Sequence, residues 1–114
     1  MNEYLFIIRG GDMDESQSQE QMQEHMDAWG VWMGGLAKQG KLVGGQPLMN
    51  PGITLTEKGT KVTDRPLAEG KELVGGYILV KAANLDQAAG LAQGCPGFEH
   101  DCSIEIREIN PMMG

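Results

Sequence analysis

Two segments of this chain carry apolar side chains on both sides of an extended strand, and this constrains the fold more than any other feature. Tyr4-Leu5-Phe6-Ile7-Ile8 is an aromatic and β-branched run closed by Gly10-Gly11, and Val74 to Ala82 is the longest strand-like run. Successive side chains of a strand point to opposite faces, so an unbroken apolar run must be covered twice. Something has to pack above each strand and something else below it.

The rest of the chain offers two covers, both for one side. Met22, Met26, Trp29, Met33 and Leu36 recur at spacings of four, three, four and three, which is one stripe along an amphipathic helix. The pattern predicts a first helix over about 18–39, stopped by Gly40. Gly30, Gly34 and Gly35 inside it each cost about 1 kcal/mol relative to alanine, and are expected where the helix passes close to another backbone. Asn84 with Gln87 makes a capping-box-like start for a second helix carrying Leu85, Ala88, Leu91 and Ala92, ended by Gly94 and Pro96.

Between the helices, Leu42-Val43 and the Gly-Gly-Gln-Pro segment predict an interrupted strand with Pro47 at its edge or end. Ile53–Thr56 and Thr60–Thr63 flank Glu57-Lys58-Gly59 as a hairpin whose glycine suits a left-handed position. Cys102, Ile104 and Ile106 alternate with Ser103, Glu105 and Arg107 in a final strand with one apolar face. The order is strand, helix, two or three strands, helix, strand: an α+β, ferredoxin-like arrangement with two helices on one face of an antiparallel sheet. The other face is left bare, so a second copy of the chain is expected on it, making a homodimer.

At 114 residues the chain is expected to form one domain over 1–110, with 111–114 a terminal extension. Its net charge of -7 and pI near 4.7 disfavour nucleic acid and anionic lipid as partners. No apolar run approaches the length of a membrane span, and the start of the chain lacks a basic leader, so a soluble, unexported, cytoplasmic protein is expected. Cys95 and Cys102 match no common zinc or thioredoxin-like spacing and are expected to be reduced thiols. The glycine pairs form no phosphate loop, and the methionines and tryptophans imply no cofactor, so none is expected.

The segment Val62-Thr63-Asp64-Arg65-Pro66-Leu67-Ala68-Glu69-Gly70-Lys71-Glu72, followed by Gly75-Gly76 and a strand, is similar to the signature of DGPF-type proteins of the YCII-related family. Lys41-Leu42-Val43-Gly44-Gly45-Gln46-Pro47-Leu48, Cys95-Pro96 and Ile104-Glu105-Ile106-Arg107 extend the likeness over nearly the whole chain. The resemblance implies a dimeric α+β barrel, two ferredoxin-like sheets facing each other around a small cavity. Arg65 and Leu67 stand where the family signature has glycine and phenylalanine. Some relatives carry a histidine on the first helix, suspected as half of a His-Asp pair, and His25 looks like that residue. Those relatives often have Asp-Pro where this chain has Cys95-Pro96.

Among residues suited to chemistry, His25 lies at the border of the helical stripe, one turn before Trp29. An imidazole there can accept or give a proton near neutral pH when a partner orients its other nitrogen. Asp64 is the candidate partner, or an acceptor for a substrate hydroxyl. Arg65 and Lys71 could hold a carboxylate, Glu72 belongs to the same charged loop, and Tyr77 could donate its hydroxyl to a ligand. Each also has a plain structural use, as a solvated loop charge or a packed ring. His100 sits between Glu99 and Asp101, but adjacent loop residues rarely converge on one ion and no second histidine is expected near it, so no metal is expected. The reading is a small organic ligand with cofactor-independent acid-base chemistry. The alternative is a non-catalytic sensing or regulatory module.

Overall fold

The computed structural model describes residues 1–10, 18–49, 51–66 and 72–112. Strand β1 (Asn2–Arg9) is followed by helix α1 (Gln19–Lys38), β2 (Leu42–Pro47), the hairpin strands β3 (Thr54–Thr56) and β4 (Lys61–Thr63), β5 (Val74–Ala82), α2 (Leu85–Ala92), a 3₁₀ turn at Pro96–His100, and β6 (Ser103–Glu108). The main sheet is antiparallel in the order β2-β5-β1-β6. This is the ferredoxin-like α+β arrangement, with the two longest apolar strands, β5 and β1, in the middle.

Local chemistry sets the helix limits. Ser18 accepts from the backbone N–H of Gln21 while the Gln21 side chain accepts from the Ser18 N–H, a complete capping box. Gly40 ends α1 at φ +70, and the N–H groups of Gly40 and Lys41 return to the carbonyls of Ala37 and Leu36. Asn84 caps α2 through the N–H of Gln87.

On the helix-covered face Tyr4, Phe6 and Ile8 of β1 pack with Ile78, Val80 and Ala82 of β5, under Leu36 of α1 and Ala88 and Ala92 of α2. Trp32 ties the helices together by donating its indole N–H to the carbonyl of Leu91 at 3.0 Å. The opposite face carries Leu5, Ile7, Tyr77 and Leu79, with Leu5 opposite Leu79 and Ile7 opposite Tyr77. No element of the described chain covers it. Arg9 and Arg107 both reach Glu105 beside this strip, at 2.8 and 3.2 Å.

One expectation, at the α1 glycines, is corrected, and the packing of both helices becomes explicit. The α1 stripe does not enter the protomer core along its length: Leu36 is buried, but Met22 and Met26 are 46% and 65% exposed. The stripe overruns the sheet toward its N-terminal end. Gly30, Gly34 and Gly35 do not mark a close approach, since a Cβ at any of them would meet nothing within 4 Å. Leu85 is 54% exposed, so α2 packs through its alanines and Leu91. The hairpin forms as expected, though Glu57 and Lys58 join Gly59 at positive φ. Cys95 and Cys102 are free and buried, and burial pushes the Cys95 thiol up to about 12.

Candidate functional site

Where α1 overruns the core, a hollow opens between it and the sheet. The helix-facing positions at this end of the sheet include Gly45 of β2 and Gly76 of β5, which supply no side chain to fill the space. Only glycine fits at Gly45, because a Cβ there would lie 2.7 Å from the Tyr77 carbonyl oxygen, while one at Gly76 would come within 3.1 Å of the Gln46 oxygen. Bare backbone therefore forms one wall, extended by Gly10 and Gly75. Ile8, Met26, Trp29, Met33 and Ile78 form the apolar remainder.

This cavity, open to solvent on one side, has a volume of about 440 Å³, inside the usual range for small-molecule sites, about 300–1,000 Å³. His25, Gln46 and Tyr77 are the lining residues with polar side chains, those of Gln46 and Tyr77 meeting each other at the open sheet face.

Residue spacing explains how His25 is held. Four positions along a helix returns to the same face, and the Trp29 indole N–H donates to Nε2 of His25 at 2.8 Å. With that nitrogen accepting, the neutral imidazole carries its proton on Nδ1. Burial, reinforced by His100, lowers the His25 pKa from its ordinary value, and Glu99 partly offsets them. His25 is thus neutral at pH 7 and offers a donor. Trp29 in turn packs edge-on against Trp32, ring centres 5.4 Å apart.

The other predicted residues are distributed more widely. Tyr77 lines the cavity, but it alternates with buried Gly76 and Ile78, so its ring stands on the open sheet face, where the hydroxyl donates to Oε1 of Gln46 at 3.2 Å. Asp64 and Arg65 are exposed and line a separate, shallow depression with Pro51, Gly52, Ile53 and Pro66. The Arg65 carbonyl accepts from the Thr54 hydroxyl at 2.8 Å, which ties the loop to the hairpin stem. Within one protomer His25 and Asp64 share no wall. Glu72 is exposed just before β5, and Lys71 lies outside the described residues.

Sequence reasoning missed Gln46, the glycine floor and the place of His100. The imidazole of His100 meets that of His25 with ring centres 4.4 Å apart at 83°, so a second histidine does lie beside it. The spacing of His25 and Trp29 was a usable signal for their bond; nothing local announced His100. Among the described residues no group of three or more His, Cys, Asp or Glu side chains gathers as a metal site. No described helix is long and apolar enough to cross a membrane.

Comparison with known proteins adds the fold's lineage. The 5-chloro-2-hydroxyhydroquinone dehydrochlorinase of Burkholderia phenoliruptrix, solved in complex with 2,5-dihydroxybenzoquinone, superposes with a TM-score of 0.55 at 14% identity, covering 95% of this chain and 93% of that one. A search of curated proteins finds no match. The model of the YCII-related domain matches residues 4–113, so nearly the whole sheet-and-helix unit described above falls within it. The chain belongs to the YCII-related domain family.

Proposed function

We propose that this protein binds a small organic molecule in the cavity between α1 and the sheet, as a homodimer, and that His25 exchanges a proton with it without a cofactor. The observation that carries the reading is the cavity itself: about 440 Å³, apolar on most sides, with a neutral imidazole in its lining. Such a pocket desolvates a ring-sized ligand while a few polar groups orient it. The ferredoxin-like neighbour is a dehydrochlorinase solved with a hydroxylated quinone, which makes 2,5-dihydroxybenzoquinone a reasonable first probe. The exposed Asp64–Arg65 loop is a separate surface in this reading, and Tyr77 acts by holding Gln46.

One observation favours a second reading, a binding module without turnover. The His25 nitrogen that would accept a proton is already engaged by Trp29, so His25 serves as a donor unless that bond opens.

Native mass spectrometry of gently purified protein, followed by titration with 2,5-dihydroxybenzoquinone, tests the proposal. Expected are a dimer with retained small-molecule mass or measurable probe binding, and about tenfold weaker binding after His25→Ala, the worth of one good hydrogen bond. Bound ligand without product supports the module reading. Wild type that retains nothing and ignores the probe, or a His25→Ala variant that binds as well, contradicts the proposal.

A further inference from the structure

We propose that His100 is a positioning residue for His25: the two imidazoles act as one acid-base unit that holds a single proton, and His100 decides when His25 carries it. The pairing stands on geometry. α1 supplies His25, the 3₁₀ turn Pro96–His100 supplies His100, and the rings meet edge to face with centres 4.4 Å apart.

That turn is held by its backbone. The N–H of Phe98 returns to the carbonyl of Cys95 and that of Cys102 to the carbonyl of Gly97, at 3.4 and 3.2 Å. Gly97 lets it press against α1, since a Cβ there would lie 3.2 Å from the Trp29 ring and 2.9 Å from the Cys102 sulfur. Trp29 thus contacts the turn at Gly97 and holds His25 through its indole, so one side chain relates both histidines.

Two positive charges at this separation in a partly desolvated site repel strongly, so a charge on the neighbouring ring opposes a proton on His25. Among the described residues, the charged and titratable groups acting on His25 are His100 and Glu99, both from the turn. Glu99 favours a proton on His25 and His100 opposes it. Across the cavity the described lining contains no other charged side chain. A proton taken up by His25 as pH falls places a single positive charge beside an apolar cavity, a setting that suits an acidic organic ligand such as a phenolate, enolate or carboxylate. That ligand preference rests on the binding-site reading above; the pairing does not.

The chain contains two histidines, so imidazole resonances can be followed by NMR against pH in ligand-free protein without ambiguity after one is removed. Expected is an upward move of the His25 midpoint by about half a pH unit or more in His100→Gln, with a downward move in Glu99→Gln. An unchanged signal from the Trp32 indole, which bonds the Leu91 carbonyl, reports an intact fold, and His100→Asn serves if His100→Gln disturbs the turn. An unchanged His25 midpoint in both folded His100 variants overturns the proposal. If the pairing fails, ligand binding in the cavity is untouched; if no probe binds, the titration result still stands.

Discussion

Trp29 decides what His25 can do. By donating to Nε2 it favours the neutral ring, so Trp29→Phe should raise the His25 midpoint in an NMR titration and cost about 1 kcal/mol in denaturant unfolding. Because the folded pKa of His25 lies below its unfolded value of 6.5, the unfolded chain binds more protons in that window. The contribution is therefore present above the unfolded value and is lost as pH falls toward the folded one. Thermal unfolding followed from pH 7.5 downward should show this decline, and His25→Gln should flatten it. Glu105 shows a similar dependence at lower pH. Arg9 first and Arg107 second hold its carboxyl below the usual carboxylate value of 4.5, so its contribution is lost only as pH falls through that lowered value. His25 was legible in the sequence because its partner is a helical turn away. His100 was not, because the contact is made by a turn near the other end of the chain.

At the scale of elements, glycines separate the part of the fold that is packed from the part that is not. Gly45→Ala forces a methyl to within 2.7 Å of a backbone oxygen in the β2–β5 pairing, and should cost about 2 kcal/mol or more with loss of cavity shape. Gly30→Ala meets open space on α1 and should instead stabilise by about 0.5–1 kcal/mol. Chemical denaturation of the two variants reads both signs in one experiment. The helices and the central strands were legible because the periods of Met22 to Leu36 and Val74 to Ala82 are unambiguous. Periodicity alone did not reveal how far α1 slides along the sheet, so it did not show that Trp29 and Met33, which pack against the core, also join Met26 in a cavity wall.

For the whole molecule, the apolar strip Leu5, Ile7, Tyr77 and Leu79 lies on a face that no described element covers, and the hairpin exposes Leu55 and Val62, each 61% accessible. If this face meets a second copy, Leu79→Glu should convert a dimer to monomers in size-exclusion chromatography with light scattering while leaving the helical circular dichroism intact. The bare face was legible from strands apolar on both sides, and a second copy on it is the proposal that Leu79→Glu tests. The site was only half legible, because a void depends on which side chains are missing where three elements meet. The most direct test of the central claim is a ¹⁵N NMR titration of the two indole N–H signals with 2,5-dihydroxybenzoquinone. Trp29 lines the cavity and bonds His25, whereas Trp32 bonds the Leu91 carbonyl away from it. The account predicts that the Trp29 signal moves to saturation while Trp32 stays nearly fixed. Both signals unmoved at saturating probe, or Trp32 moving alone, would contradict it.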